Sequence, residues 1–415
     1  MNNEDTFLLL CCGVVSVILL EGKKEKQERV WVREWVRRRK EEGCCAKLLK
    51  ELRLETPTLY HNFLRMKAKD FDYLLNLVKP LITKQTTRFR EPISATERLA
   101  VTLRYLATGE SFRSLQFVFR IPFNTISVIV PGVCNAIYNV LQPEYLKTPS
   151  TIEEWKAISE EFLHKWNFPN CIGALDGKHV VMKAPAHSGS IYYNYKGTHS
   201  IVLMGISDAS YKFLYIDVGS NGRISDGGVF RKSSFNEAMT NNKLNLPPSE
   251  PLPSRNIPVP YVLVADDAFA ISPHLLKPYS LRTLTATQRI YNYRLSRARR
   301  VIENAFGILS ARFRILRSAI MLEPTKVRTI TCACCALHNF LMTQKKTVYF
   351  NPKLVDHYSE DGTLIPGEWR NDIDQNLPNL RPHRSYVNQE TSVIREEFSQ
   401  YFIEEGEVPF QYKHI

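Results

Sequence analysis

The sequence predicts an α/β domain whose sheet is flanked by helices, preceded by an all-α region. Three observations carry this reading. Residues 55–147 repeat apolar side chains at helical spacing, with glycine and proline punctuating the runs. From residue 171 the pattern changes to short apolar runs, CIGALDGKHVV, SIVLMGIS, FLYIDVG and YVLVAD, which read as strands. Two long helical patterns, 289–318 and 323–342, then follow, as expected of helices that cover a sheet.

The 415 residues are enough for two domains, and 44% hydrophobic with 23% charged residues is ordinary for a soluble protein. The formal net charge of +13 is not ordinary and favours a polyanionic partner, most simply nucleic acid. The nine cysteines include the adjacent pairs Cys11/Cys12 and Cys44/Cys45, and no CxxC pairs with a second CxxC. Cys334 and His338 are four apart, but two further ligands are missing, so core thiols in a reducing compartment are expected. The apolar run at 7–20 is short for a membrane span and follows the acidic MNNED rather than a basic leader. It reads as a buried N-terminal helix, with a signal or anchor as the other reading; no membrane partner is expected.

The elements follow in order. Residues 1–54 form a charged helical segment in which Trp31, Trp35 and Arg38 share helical spacing; Arg37–Lys40 reads either as a nuclear localisation signal or as a charged helix face. Within 55–147, Ser94 opens a helix, with Thr96-x-x-Arg in place of a full capping box, and Gly109 closes it. A short helix from Phe112 to Phe119, a turn at Ile121-Pro122 and a second helix from Asn124-Thr125 make a helix-turn-helix candidate for DNA binding; a structural helical bundle is the other reading, and Pro131 complicates a recognition helix. A connector, 148–170, carries a helix over Glu153–Trp166. The catalytic candidate spans 171–345, with a hairpin turning at Asp208–Tyr211, helix over 220–240 and a proline-rich loop over 243–260. The tail, 346–415, is polar and irregular apart from a helix at Ser392–Glu404.

Four carboxylates stand out: Asp176 in CIGALDGKHV, Asp226 in GRISDGGVF, Asp266 in YVLVADDAF and Glu303 in RARRVIENAFG. Acidic side chains at the ends of apolar strands are costly unless something binds them. A pair of divalent cations acting on a phosphodiester explains them most simply. Asp266 is preferred to Asp267 because neighbouring strand residues face opposite ways.

With the strand and helix order, the segments IGALDGKHV, NYKGTHS, GRISDGGVFRKS, VADDAFAISPHLLKPY, NYRLSRARRVIENAFGILSARFRIL and CALHNFL resemble the PIF/Harbinger transposase family and its domesticated nuclease relatives. The match runs roughly over 165–345, and the helical N-terminal part and the WR and YF elements of the tail are similar too. The resemblance implies an RNase H-like domain with a catalytic triad on Asp176, Asp266 and Glu303, holding two Mg²⁺ or Mn²⁺ ions. Asp226 would be either a further metal ligand or a helix cap, and His179, in the family's DG-x-H signature, a supporting residue or a satisfied core histidine. Two departures are Ala265 before Asp266, where the family has glycine, and Ala270, where it favours proline. The resemblance also implies double-stranded DNA as substrate, a nuclear location and a Myb-like partner protein. A homodimer is expected because two DNA ends must be held together. Lys196, among Tyr192, Tyr193 and Tyr195, and Arg294, Arg297 and Arg300 on the helix of Glu303 are the candidate DNA contacts; core tyrosines and a solvated basic face are the bland readings.

The expected function is metal-dependent cleavage of DNA, with or without strand transfer. The competing reading is a DNA-binding regulator that has lost cleavage. An aspartyl-nucleophile phosphohydrolase would need a DxD motif, which Asp176-Gly177-Lys178 lacks.

Overall fold

The computed structural model describes residues 32–86, 91–279, 283–344, 349–359, 361–375 and 389–414; the apolar run 7–20, Trp31 and the side chain of Asp226 lie outside what is described. The N-terminal part is helical throughout: α1 (Glu34–Arg37), α2 (Arg39–Glu42), α3 (Leu48–Glu55), α4 (Pro57–Leu64), α5 (Ala68–Ile82), α6 (Ala95–Thr108), α7 (Phe112–Phe119), α8 (Phe123–Tyr145) and α9 (Ile152–Trp166). The long charged helix expected before residue 54 is broken at Arg38 and Gly43, and Trp35 packs on Phe117 with ring centroids 6.0 Å apart. A full capping box starts α6: Glu97 N–H donates to the Ser94 hydroxyl, and Ser94 N–H donates to the Glu97 carboxylate. The reading without a full box overlooked the Ser-x-x-Glu spacing from Ser94.

The helix-turn-helix reading is not borne out by the character of α8. Pro131 sits inside this helix without ending it, and Ile126, Ile129, Val130, Val133, Cys134 and Ile137 are buried in the core. No lysine or arginine lies on α8 to meet phosphate. It is a central helix of a bundle that includes α5, α6 and α13 (Pro324–Thr343).

The sheet begins where the apolar pattern changes. Strands β1 (Cys171–Val181), β2 (Ser200–Ser207) and β3 (Phe213–Asn221) are antiparallel neighbours. Helices α10 (Asp226–Arg231) and α11 (Ser234–Thr240) follow, and the proline-rich segment contains a small ladder, β4 (Glu250–Pro251) with β5 (Pro258–Val259). Strands β6 (Val262–Val264) and β7 (Leu275–Leu276) complete a five-stranded sheet of order β3-β2-β1-β6-β7, with β1, β6 and β7 parallel. This mixed sheet with helices on both faces fits an RNase H-like domain.

Period-two alternation divides two apolar cores across the sheet. Ile201 and Leu203 of β2, with Val262 and Val264 of β6, join the core that runs into the helical region. Val202, Met204, Ile206 and Leu263 join the other, with Trp155, Phe235 and Phe269. The 27-residue α12 (Ala286–Arg312) lies over the first face, continued by a 3-10 turn at Arg314–Arg317. The tail contributes β8 (His357–Tyr358), β9 (Leu364–Ile365), a 3-10 stretch at Glu368–Gln375 and α14 (Gln389–Ile403), which packs on α12. Far from being a loose appendage, it buries Tyr349, Phe398 and Phe402. The cysteines among the described residues are free, and His338 is satisfied by the Tyr349 hydroxyl and Tyr211 carbonyl, each at 2.8 Å.

Candidate active site

Register brings the two aspartates together. Ala174 of β1 pairs with Val264 of β6 in parallel, so Asp176 and Asp266, each two residues further on, emerge level with one another on the same side. That side carries Val264 and Val180 into the core beneath α12. Asp176 is buried, with Oδ1 accepting from Gly177 N–H at 2.9 Å and Oδ2 lying 3.5 Å from Lys178 Nζ. Asp266 accepts from Ala268 N–H at 3.0 Å, while Asp267 is exposed. Burial, and then the charge of Asp176, push the Asp266 carboxyl up to about 6.

Glu303 faces these strands from α12. Its Oε1 is paired with Arg299 at 2.5 Å, one helical turn earlier, and its Oε2 with Arg370 at 3.2 Å. Burial alone would raise its carboxyl; Arg299, Lys178, Arg300 and Arg370 together overcome that and hold it at about 2. Arg299 feels all three carboxylates. Burial works against its charge, and Glu303, Asp176 and Asp266 more than restore it. The three acidic groups therefore share one electrostatic field.

Asp226 opens α10, with Ser225 at the N-cap making no side-chain capping bond. Its neighbour Gly227 packs so closely on the segment after Asp266 that an added Cβ would lie 3.3 Å from the Ala268 carbonyl oxygen. The Asp226 backbone is thus held at the same end of the sheet. Ala265, the departure from the family's glycine, is fully buried in the second core and keeps its backbone bond to Leu276 at 3.0 Å.

His179 is fully buried on β1, with Nδ1 2.9 Å from the Ser200 hydroxyl. That hydroxyl accepts from Asn194 Nδ2, so it can donate to His179 and leave the ring proton on Nε2, which has no partner among the described residues. Asn194 also fastens the loop of Lys196 by accepting from Lys196 and Thr198 N–H. Lys196 is exposed, as a DNA contact requires.

The three arginines expected to meet DNA are placed otherwise. Arg294 is buried and donates to the carbonyls of Gly406 and Asn167 and to Gln411 Oε1. Arg297 is buried against the rings of Tyr358 and Phe410, 4.0 and 4.6 Å from their centroids. Arg300 is half-buried, donating to the Tyr358 hydroxyl at 3.0 Å and facing Asp356 at 3.5 Å. These head groups are taken by the folded tail, which the reading of a solvated basic face did not include.

The tail also supplies site residues that sequence reasoning missed. Arg370 grips the fully buried Asp356 through Nε, at 2.8 and 2.9 Å, while its Nη2 reaches Glu303. Asn304 accepts from Asp356 N–H and from Trp369 Nε1, each at 3.0 Å. Trp369-Arg370 is the WR element, whose chemistry was a signal without an evident target.

A divalent ion fits the donor set, which is all carboxylate at its centre, the choice of Mg²⁺ and Mn²⁺ over softer metals. The crowding of Asp176 and Asp266 is the kind of repulsion such an ion relieves. Among the described residues no three acidic, histidine or cysteine side chains already converge as ligands. Arginines take both Glu303 oxygens instead.

Residues 175–339 match the DDE superfamily endonuclease family. Protein ALP1-like of Arabidopsis thaliana is 29% identical over 293 residues, covering 69% of this chain and 71% of the relative. Antagonist of Like Heterochromatin Protein 1, also of Arabidopsis thaliana, is 26% identical, covering 68% and 72%. Putative nuclease HARBI1 of Homo sapiens is 25% identical, covering 68% and 76%. No solved structure matches. Over residues 175–339 the chain is therefore similar to DDE superfamily endonucleases, and over about two thirds of its length to proteins named ALP1-like and putative nuclease HARBI1.

Proposed function

We propose that this protein is a divalent-metal-dependent DNA endonuclease that hydrolyses phosphodiester bonds at a centre formed by Asp176, Asp266 and Glu303. The observation that carries the reading is the level emergence of Asp176 and Asp266 from parallel strands beneath Glu303, with Arg299 coupled to all three. Asp176 would serve both ions, and Asp266 and Glu303 would each hold one. A bound ion pair lowers the pKa of the attacking water or 3′-hydroxyl and steadies the leaving oxygen.

The protein's own part is to fix and charge the ligands. Ala268 N–H orients Asp266 and Gly177 N–H orients Asp176. Arg299 and Lys178 offset the carboxylate charge before metal arrives. To coordinate an ion, Glu303 must yield at least one oxygen held by Arg299 or Arg370. Double-stranded DNA is the substrate in this reading, which carries with it a nuclear location, a Myb-like partner and a homodimer.

The test is nicking of supercoiled plasmid with Mg²⁺ or Mn²⁺ by wild type, Asp176→Asn and Glu303→Gln. Metal-dependent nicking confined to wild type supports the triad. Equal nicking by all three rejects it. Intact DNA binding with no nicking by any favours a regulator without cleavage.

A further inference from the structure

The loop between β1 and β2 carries surface chemistry that the carboxylate centre does not use. Residues 177–207 contain no aspartate or glutamate, and the loop carries Lys183 and Lys196, both exposed. The segment after β3 lies against it: an added Cβ on Gly222 would come 2.8 Å from the Ser200 carbonyl oxygen and 3.0 Å from that of Tyr192. This brings the exposed Arg223 beside the loop. The surface is therefore cationic, without acidic neighbours in its own strands or turn.

The backbone of the loop is fixed. Tyr193 and His199 form an antiparallel bridge, and Ser200 N–H donates to the Tyr192 carbonyl at 2.9 Å. Gly197 supplies the left-handed conformation of the tight turn, at φ 79°. Asn194 is buried beneath it, donating its N–H to the Thr198 carbonyl at 2.8 Å and its Nδ2 to the Thr198 and Ser200 hydroxyls, each at 2.9 Å. The three tyrosines are placed differently. Tyr192 packs on the core, whereas Tyr193 and Tyr195, on either side of Asn194, keep 48% and 39% of their surface exposed. The Tyr193 ring meets His199 edge-on at 5.3 Å, and Lys196 Nζ lies 5.9 Å from the Tyr195 centroid. Exposed rings on a fixed backbone among cations suit nucleic acid: bases stack on the rings and phosphates meet the lysine. Bases inside a duplex have no open face to offer, so the fit is to unpaired ones.

The loop opens five residues beyond Asp176 on the same strand, about 17 Å at 3.4 Å per residue. The Tyr195 ring stands 6.0 Å from that of His179, which alternation along β1 turns away from Asp176 and α12. The rings therefore flank the carboxylates from the other side of the sheet and do not overlap them.

We propose that the β1–β2 loop, through Tyr193, Tyr195 and Lys196, is a stacking platform for unpaired DNA bases, so that the protein engages duplex bearing a single-stranded segment in preference to blunt duplex. That the strand is DNA rests on the nuclease reading; that its bases are unpaired rests on the loop.

The test uses the full chain in EDTA, so that binding is read without cleavage. The probe is a duplex of about 30 base pairs, with or without a single-stranded 3′ tail of about 12 nucleotides that contains 2-aminopurine. Stacking quenches 2-aminopurine fluorescence; charge alone does not. Wild type should bind the tailed duplex about fivefold more tightly than the blunt one, or better, and quench the tail. Tyr193→Ala, and more so Tyr193→Ala/Tyr195→Ala, should lose both the preference and the quenching, and Tyr193→Phe should retain both. Lys196→Gln should keep the quenching and flatten the slope of log affinity against log salt by about 0.7. Equal affinity for the two duplexes, or quenching that survives the double alanine variant, would overturn the proposal, as would tighter binding of the same tail made as RNA. Plasmid nicking separates this proposal from the nuclease reading. Quenching lost in the tyrosine variants, with nicking that survives Asp176→Asn, keeps the platform and sinks the triad. Nicking lost in Asp176→Asn, with no preference for the tailed duplex, does the reverse.

Discussion

Arg370 and Glu303 meet Nη2 to Oε2 at 3.2 Å, joining the C-terminal tail to the proposed catalytic helix. The same guanidinium holds the fully buried Asp356. In the proposed mechanism the tail therefore competes for an oxygen that a metal ion would need.

Replacing Arg370 with glutamine should tighten metal binding severalfold by removing that competitor. Mn²⁺ titration followed by electron paramagnetic resonance measures it without any cleavage. Among the described residues the same variant leaves the buried Asp356 facing Arg300 at 3.5 Å, so its stability should fall by about 3 kcal/mol in denaturant unfolding. Weaker Mn²⁺ binding at intact fold would mean that Arg370 positions Glu303 for the metal instead of withholding it.

Asp176→Asn should raise the thermal midpoint in EDTA by a few degrees, because it relieves repulsion against Asp266 at a functional site. Addition of Mg²⁺ should then raise the midpoint of wild type and leave the variant unmoved. A lower midpoint in EDTA would show that the pairing of Asp176 with Lys178 outweighs the repulsion.

The seat of the tail on α12 is tight at Gly307. A Cβ there would come within 2.5 Å of Trp369 Cδ2. Gly307→Ala should therefore displace the indole, break its bond to Asn304 and cost about 1–3 kcal/mol. Increased tryptophan accessibility to acrylamide, together with a lower unfolding midpoint, is the expected result; an unchanged quenching constant would argue against this packing.

His338 sets one limb of the pH dependence. Burial lowers its pKa from 6.5 to about 4, so the folded protein keeps the ring neutral. The unfolded chain binds a proton more readily, and this contribution to stability is present above pH 6.5 and lost as pH falls through about 4. The loss is on the order of 3 kcal/mol. Chemical unfolding between pH 7 and 4 should show a smaller acid slope in His338→Gln than in wild type.

Much of the fold is legible in the residues because its signals are local. Ser94 and Gly109 mark the ends of α6, and Asp208–Tyr211 marks the hairpin turn. Asp176 and Asp266 could be picked out because each closes an apolar run. What could not be read there is the coverage of α12. Arg294, Arg297 and Arg300 look like a solvated face until Gln411, Phe410 and Tyr358 arrive from more than fifty residues away. The clamp on Glu303 escapes for the same reason, since a Trp-Arg pair in a polar tail carries no periodicity. The two-helix pattern at 112–145 is real, but its second helix is apolar enough to serve as core, and spacing does not distinguish these uses.

The most direct measurement is anomalous diffraction from crystals soaked in Mn²⁺. Manganese density bounded by Asp176, Asp266 and Glu303 is expected, with at least one Glu303 oxygen released from Arg299 or Arg370. Well-ordered carboxylates with no manganese between them at saturating Mn²⁺, or manganese bound only elsewhere, would contradict it.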